Sequence, residues 1–311
     1  MNLINTLLPV FLIIALGAHL RRSGFITGEF VEVLNRLLYW IGLPSLLFYK
    51  IAIARYDFLI AGKISFAIIV SMFGCIILGY IIALILKMPV KKIGSFVQGS
   101  YRANLIYVGL AIIIYSFSGI KANGSEPIET VALLVISMTI PVYNIVAVIV
   151  LLAGREKISK AVILKVTKQV ATNPLLLSCV LGILYSFFMP ALPVVAVRTL
   201  TAIGQMALPL SLLGVGAAIG QKKIVSDFKL VLIASVIRTI FSPLVVYLVS
   251  MFVVLTADEL MIAMIMSACP TAATSYVMAD QLGCDSDLAA SIIVLSTIIS
   301  FGSLGIIVSI F

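Results

Sequence analysis

The sequence predicts an all-α integral membrane protein with ten transmembrane helices, arranged as two inverted five-helix repeats in which helices 4 and 9 are broken and cross. Three observations carry this expectation. Of 311 residues, 62% are hydrophobic and only 11% charged, with a mean hydropathy of +1.25. A soluble domain carries about 25% charged residues, and here the deficit runs the whole length, which excludes a single anchor on a soluble enzyme. Apolar stretches of about 20 residues follow one another almost without loops, whereas a barrel would show short alternating strands. Displacing the chain by 165 positions superimposes Pro9 on Pro174, Gly17 on Gly182 and Leu43-Pro44 on Leu208-Pro209, with each of the first five spans landing on one of the second five.

The spans fall at roughly 3–20, 33–53, 62–86, 94–117, 128–152, 166–188, 194–219, 230–254, 259–282 and 287–310. The first has no basic stretch before it and no small-residue cleavage site, and it ends at Arg21 and Arg22, so it reads as a retained helix. Leu43-Pro44 and Leu208-Pro209 predict kinks in the second and seventh. Gly214, Gly216 and Gly220 at the end of the seventh allow close helix approach, suiting either a fixed scaffold or a dimer contact. The first repeat thus covers residues 1–152, a short cytoplasmic linker 153–165, and the second repeat 166–311. Because five is odd, the second repeat enters the membrane from the opposite side, the architecture of a transporter.

Orientation follows from the bases. With both termini outside, Arg21, Arg22, Lys87, Lys91, Lys92, Arg155, Lys157, Lys160, Lys165, Lys168, Lys222, Lys223 and Lys229 are cytoplasmic, against Lys50, Arg55, Lys63 and Lys121 outside. This asymmetry accounts for the net charge of +9 better than nucleic-acid binding does. The link between spans 9 and 10, with Asp280, Asp285 and Asp287 and no base, fits the rule least well. The four cysteines and single His19 lack metal-ligand spacing, and no serine–histidine pair, HExxH or aspartate dyad stands in the spans, so neither a metal, a cofactor nor an enzyme is expected.

Spans 4 and 9 carry the chemistry. Asn104 maps onto Cys269, immediately before Pro270, and both lie near mid-span. An Asn and Gly109 beside Arg102 in one span, and a proline in the other, predict helices broken at matching depths, which points to a transport site. Each second half-helix then starts with unpaired N–H groups and a positive dipole end at the midplane, with Asn104 as a cap and Pro270 at a first helical position. Arg102 offers a fork matching a carboxylate, and Thr271, Thr274 and Ser275 offer hydroxyls, so the site is richer in donors than acceptors and suits an organic anion better than a metal cation. Each residue also has a plainer reading: Arg102 pairing with freed carbonyls or reaching the interface, the hydroxyls bonding their own helices. Asn144 must find a partner at depth, and Asp280 is either a protonation site for coupling or the end of span 9. Arg238 and His19, within spans and without a visible partner, read as structural or interfacial.

Several stretches resemble the auxin efflux carrier family, bacterial organic-acid permeases included. They are Arg102-Ala103-Asn104-Leu105-Ile106-Tyr107-Val108-Gly109-Leu110, Cys269-Pro270-Thr271-Ala272-Ala273-Thr274-Ser275-Tyr276-Val277-Met278-Ala279, Asn173-Pro174, Ala207-Leu208-Pro209-Leu210 and Pro141-Val142-Tyr143-Asn144. Where the family often has Pro after Gly-Leu in span 4, this chain has Ala111. The resemblance implies the fold of the bile acid/sodium symporters, with spans 1, 2, 6 and 7 as scaffold and 3–5 plus 8–10 as a moving, elevator-type domain. It also implies a scaffold-mediated homodimer and small organic-anion substrates such as malonate or malate. By the same carry-over Asn104 and Asn144 are the carboxylate contacts, and Arg102, Tyr107, Gly109, Pro270, Thr271, Thr274 and Ser275 complete the candidate site. The short linker resembles the bacterial permeases, placing the protein in the plasma membrane. A sodium-coupled symporter on the same fold, or a substrate sensor with little flux, are the competing expectations.

Overall fold

A computed structural model describes residues 3–53, 58–117, 121–122, 126–153, 168, 171–189, 191–221 and 227–311. The linker beyond Ala153 and the bases Arg55, Arg155, Lys157, Lys160, Lys165, Lys222 and Lys223 lie outside the described residues. Among those described, the chain is helical apart from a two-residue ladder, β1 (Lys121–Ala122) with β2 (Glu126–Pro127), and one isolated bridge at the functional site.

The helices are α1 (Leu3–Arg22), α2 (Gly28–Leu37), α3 (Leu43–Ala52), α4 (Phe58–Ile85), α5 (Val90–Tyr101), α6 (Ala111–Phe117) and α7 (Ile128–Leu152), then α8 (Pro174–Phe188), α9 (Val194–Gln221), α10 (Phe228–Val236), α11 (Ser242–Ser250), α12 (Ala257–Ala268), α13 (Thr274–Gln281) and α14 (Ser286–Ile310). Wider π turns at Leu38–Gly42 and Ile237–Phe241 join α2 to α3 and α10 to α11 without ending the helix. The first of them, with Pro44 at the start of α3, is the physical form of the kink expected in span 2. Pro209 instead lies inside an unbroken α9.

Among the described residues, six helical stretches are long and apolar enough to cross a membrane: Gly28–Ala52, Phe58–Ile85, Ile128–Leu152, Val194–Gly220, Phe228–Ser250 and Ser286–Ile310. The other four stretches read from the sequence correspond to α1, to the two interrupted pairs α5–α6 and α12–α13, and to α8, before which the chain lies largely outside the described residues. Interruption is what shortens spans 4 and 9, because neither half reaches the length that hydrocarbon demands. Along α4, Leu59, Phe66, Phe73, Ile77, Ile81, Leu84 and Ile85 all face outward, a surface that only lipid tolerates.

The helices pack in two sets, which contacts of α1 with α6 and α14 and of α7 with α3 and α8 join. α1 lies along α9, and α3 packs on both α8 and α9. α4 packs on α5, α7, α11 and α12, while α14 packs on α5, α10, α12 and α13. The α1–α9 crossing is a backbone-to-backbone contact. A methyl group added at Gly17 would collide with the Leu213 carbonyl, at Gly216 with the Ile14 carbonyl and at Gly220 with the Ala18 carbonyl. Gly214 faces Asn35 of α2, 3.3 Å from where its own Cβ would stand. The three glycines of span 7 are therefore spent on contacts within one chain.

Gly216→Val forces α1 and α9 apart and is expected to cost at least about 2 kcal/mol, the range of core overpacking; thermal unfolding of detergent-solubilised protein checks this.

Candidate functional site

α5 ends because Arg102 turns extended, with φ −77° and ψ 97°. α12 ends one residue before Cys269, which is extended as well, at φ −57° and ψ 148°. The two unwound segments meet as an antiparallel bridge between Ala103 and Thr271. The Asn104 N–H donates to the Pro270 carbonyl and the Ala272 N–H to the Arg102 carbonyl, both at 2.8 Å. Each break thus satisfies the backbone groups the other has freed, which hydrocarbon requires.

Beyond the bridge the helices restart. Asn104 caps the π turn Leu105–Leu110, its Oδ1 accepting from the Tyr107 N–H at 3.2 Å, while its carbonyl accepts from Val108 and Gly109. Gly109 lets the turn approach the other break, since a Cβ there would stand 3.0 Å from Cys269 Sγ. This break therefore forms without a proline, with Ala111 following Gly109-Leu110. On the other strand the helix restarts at Thr274, not at Pro270 as the sequence suggested. Pro270 is part of the extended bridge, where its missing N–H costs nothing and its carbonyl is the acceptor for Asn104.

The carbonyls left over at the ends of the first half-helices converge on one side chain that sequence reasoning set aside. Arg238, in the π turn between α10 and α11, is fully buried. Its Nε donates to the Cys269 carbonyl at 3.1 Å, Nη1 to the Tyr101 carbonyl, and Nη2 to the Ser267 carbonyl and to Ser242 Oγ at 2.9 Å. One guanidinium thereby caps the negative ends of α5 and α12 together. The residue is 137 positions from Tyr101 and 31 from Cys269, so no local pattern pairs it with either.

Arg102 points the other way. Nη2 donates to Asn144 Oδ1 at 2.7 Å and Nη1 to Met278 Sδ. With its amide oriented oxygen-to-donor, Gln98 accepts from Nη1 at 3.3 Å and donates to the Ser275 carbonyl at 3.2 Å, tying α5 to α13. All these acceptors are neutral. Among the described residues the one ion pair is Lys50–Glu129, between α3 and α7, and no carboxylate lies within 4 Å of Arg102 or Arg238.

A cavity of about 100 Å³ opens on this face, with Tyr39, Arg102, Asn104, Tyr107, Tyr143, Asn144, Asn173 and Thr274 in its wall. Asn173 caps α8, its Oδ1 accepting from the Leu175 and Leu176 N–H groups at 2.9 and 3.3 Å. The Oδ1 atoms of Asn104, Asn144 and Asn173 are all taken, and among the described residues their amide nitrogens and the Thr274 hydroxyl have no partner. The wall thus presents a cation and unspent donors. A second cavity of about 650 Å³ shares Tyr39, Tyr107, Ala273 and Thr274 with the first and runs between α2, α9, α13 and α14, past Glu32, Asn35 and Arg36.

The structure brings Arg102, Asn104, Tyr107, Asn144 and Thr274 of the sequence-derived set to one cavity. Gly109, Pro270, Thr271 and Ser275 build the crossing behind it. The Thr271 hydroxyl donates to the Gly99 carbonyl at 2.7 Å and its N–H to Ser296 Oγ at 3.0 Å, while the buried Ser275 Oγ has no partner among the described residues. Asp280 is exposed next to the last residue of α13, off the walls of both cavities. Sequence reasoning missed Asn173, whose signal was an Asn-Pro cap in mid-span, together with Tyr39 and Tyr143, and read Arg238 as structural or interfacial without the carbonyls it binds.

The family model described as membrane transport protein matches residues 2–308. The chain is also 22% identical over 302 residues to an uncharacterized transporter of Methanocaldococcus jannaschii, covering 95% of this chain and 94% of that protein. Both findings point to a multi-pass membrane transporter, not an enzyme.

Thr271→Val strands the Gly99 carbonyl and is expected to lower stability by about 1–3 kcal/mol while ligand affinity stays near wild type. Unfolding and binding measured on one preparation separate holding the crossing from touching the ligand.

Proposed function

Because the chain belongs to the membrane transport protein family, we propose that it is a secondary carrier for small organic anions, mono- or dicarboxylates such as malonate or malate, held against Arg102 at the crossing. One observation carries this reading: a buried guanidinium whose partners are all neutral forms the wall of a cavity alongside unspent amide and hydroxyl donors. A charge in a low-dielectric interior without a counter-ion is costly, and an incoming carboxylate supplies that counter-ion together with acceptors for a planar fork. Asn104, Asn144, Asn173 and Thr274 then complete its shell, with Tyr39, Tyr107 and Tyr143 giving the pocket shape.

The carrier works by alternating access in an elevator-type motion. Ten spans in two inverted repeats give the frame, with scaffold spans 1, 2, 6 and 7 (α1, α2–α3, α8, α9) and a moving group of spans 3–5 and 8–10. Supporting this division, the tight backbone contact of α1 with α9 and the packing of α3 on α8 and α9 lie within the first group, and the crossing lies within the second. As in the family that the chain resembles, the scaffold also carries a homodimer contact. The protein sits in the plasma membrane with both termini outside. The larger cavity, beginning at Gly28 beside the Arg21 guanidinium, is then the inward vestibule leading to the site. Asp280, at the cytoplasmic end of span 9, remains the candidate coupling acid.

Proteoliposomes adsorbed to a solid support and challenged with malonate, malate, lactate and pyruvate test the reading by current. Arg102→Gln and Asn104→Ala should each weaken the anion by about 1–3 kcal/mol without unfolding the protein. Unchanged transport in both variants sinks the site. Orientation is tested separately: the four native cysteines are buried, so Ser23→Cys in the exposed turn after α1 should react with an impermeant maleimide in inverted vesicles and not in intact cells. The opposite pattern reverses the topology.

A further inference from the structure

Half-helix ends and unwound carbonyls are where broken-helix symporters coordinate a coupling cation, because the negative dipole ends and freed oxygens form a cage that hydrocarbon leaves unsatisfied. In this chain that cage exists and is already full. Its oxygens are the carbonyls of Tyr101 at the end of α5, of Ser267 in the last turn of α12 and of Cys269 at its cap, together with Ser242 Oγ. All four accept from Arg238. Ser71 of α4 closes the cage from behind, its hydroxyl 2.7 Å from the Ser242 carbonyl and 2.9 Å from Ser242 Oγ. Arg238 is fully buried, its guanidinium spends Nε and both terminal nitrogens inside the cage, and no carboxylate within 4 Å competes for it among the described residues.

We propose that Arg238 is a built-in counter-cation occupying the carbonyl cage where a broken-helix symporter would bind sodium, so that this protein moves its anion without sodium at the crossing. The inference deepens the anion-carrier reading and rests on it for the nature of the cargo, but the cage is defined by the hydrogen bonds alone. The fixed charge neutralises the helix ends in every state of the cycle. A bound sodium ion would do so only when loaded, and would thereby tie the crossing's geometry to the sodium gradient. Removing the side chain should convert the first situation into the second: Arg238→Ala leaves the oxygens and empties the space between them.

The test measures thermal unfolding of purified protein in sodium, lithium or choline chloride at equal ionic strength, without substrate, and then malonate uptake in the same salts. Wild type should unfold at one temperature in all three salts and take up malonate at rates agreeing within about twofold, whereas a coupling ion changes affinity by about 5- to 150-fold. Arg238→Ala should unfold earlier in choline and be restored in part by sodium or lithium. Arg238→Met, which fills the space without a charge, should be destabilised equally in all salts. A sodium-specific rise in wild-type stability or uptake overturns the proposal, and this arm decides even where the variants fold poorly. An Arg238→Ala protein that no alkali cation restores also overturns it, as does an equal sodium response in Arg238→Met. Transport that survives Asn104→Ala and Arg102→Gln would instead remove the anion site and leave the salt dependence of unfolding to judge Arg238.

Discussion

In a bilayer the backbone has nowhere to turn but to itself, and the whole arrangement of this protein hangs on how two helices are allowed to stop at mid-depth. Four peptide groups at the breaks are satisfied by the pairing of residues 102–104 with 270–272. Neither break could exist alone, because each supplies the acceptors and donors that the other needs. The glycine at 109, the extended proline at 270 and the threonine at 271 are each explained by that mutual dependence, since they permit the approach, carry the acceptor and fasten the strand to Gly99 and Ser296.

Two arginines with no acid beside them among the described residues divide the electrostatics of the crossing. Arg238 answers the negative ends of the incoming half-helices and is consumed by doing so. Arg102 is held by an asparagine and a thioether, partners that position a guanidinium without cancelling its charge. The result is a site whose structural charge is balanced and whose remaining charge faces a cavity. The unspent amide nitrogens follow the same logic: in Asn104 and Asn173 the carbonyl oxygen caps a helix start, and the donor end is what is left over.

The surroundings decide what that site can do. One group of helices is locked by direct backbone contact at Gly17, Gly216 and Gly220, a joint that admits no sliding without loss of packing. The crossing belongs to other helices, and the cavity lies where the π turn Leu38–Gly42, α3 and α8 meet the crossing and α7. Lys50 and Glu129 fasten α3 to α7. The cavity beside Arg102 is therefore walled by helices of both groups.

Composition and the length of apolar runs determined that this chain is helical and membrane-embedded, because hydrocarbon leaves a backbone few solutions and the pattern of those solutions is local. The breaks at Asn104 and near Pro270 were legible for the same reason, as were Arg102 and Asn144, polar groups at a depth where each demands a partner. The family match over residues 2–308 agrees with a membrane transporter. Tertiary structure alone decided which partner each group takes. Pro270 is in the bridge and not at a helix start, the span 7 glycines face α1 and α2, and Thr271 is committed to Gly99. Asn173 reaches the cavity from a third helix, and Arg238 gathers carbonyls from residues 29, 31 and 137 positions away. Such pairings carry no periodicity, because satisfaction of a buried polar group depends on which atoms the fold brings within 3 Å and not on where they lie along the chain.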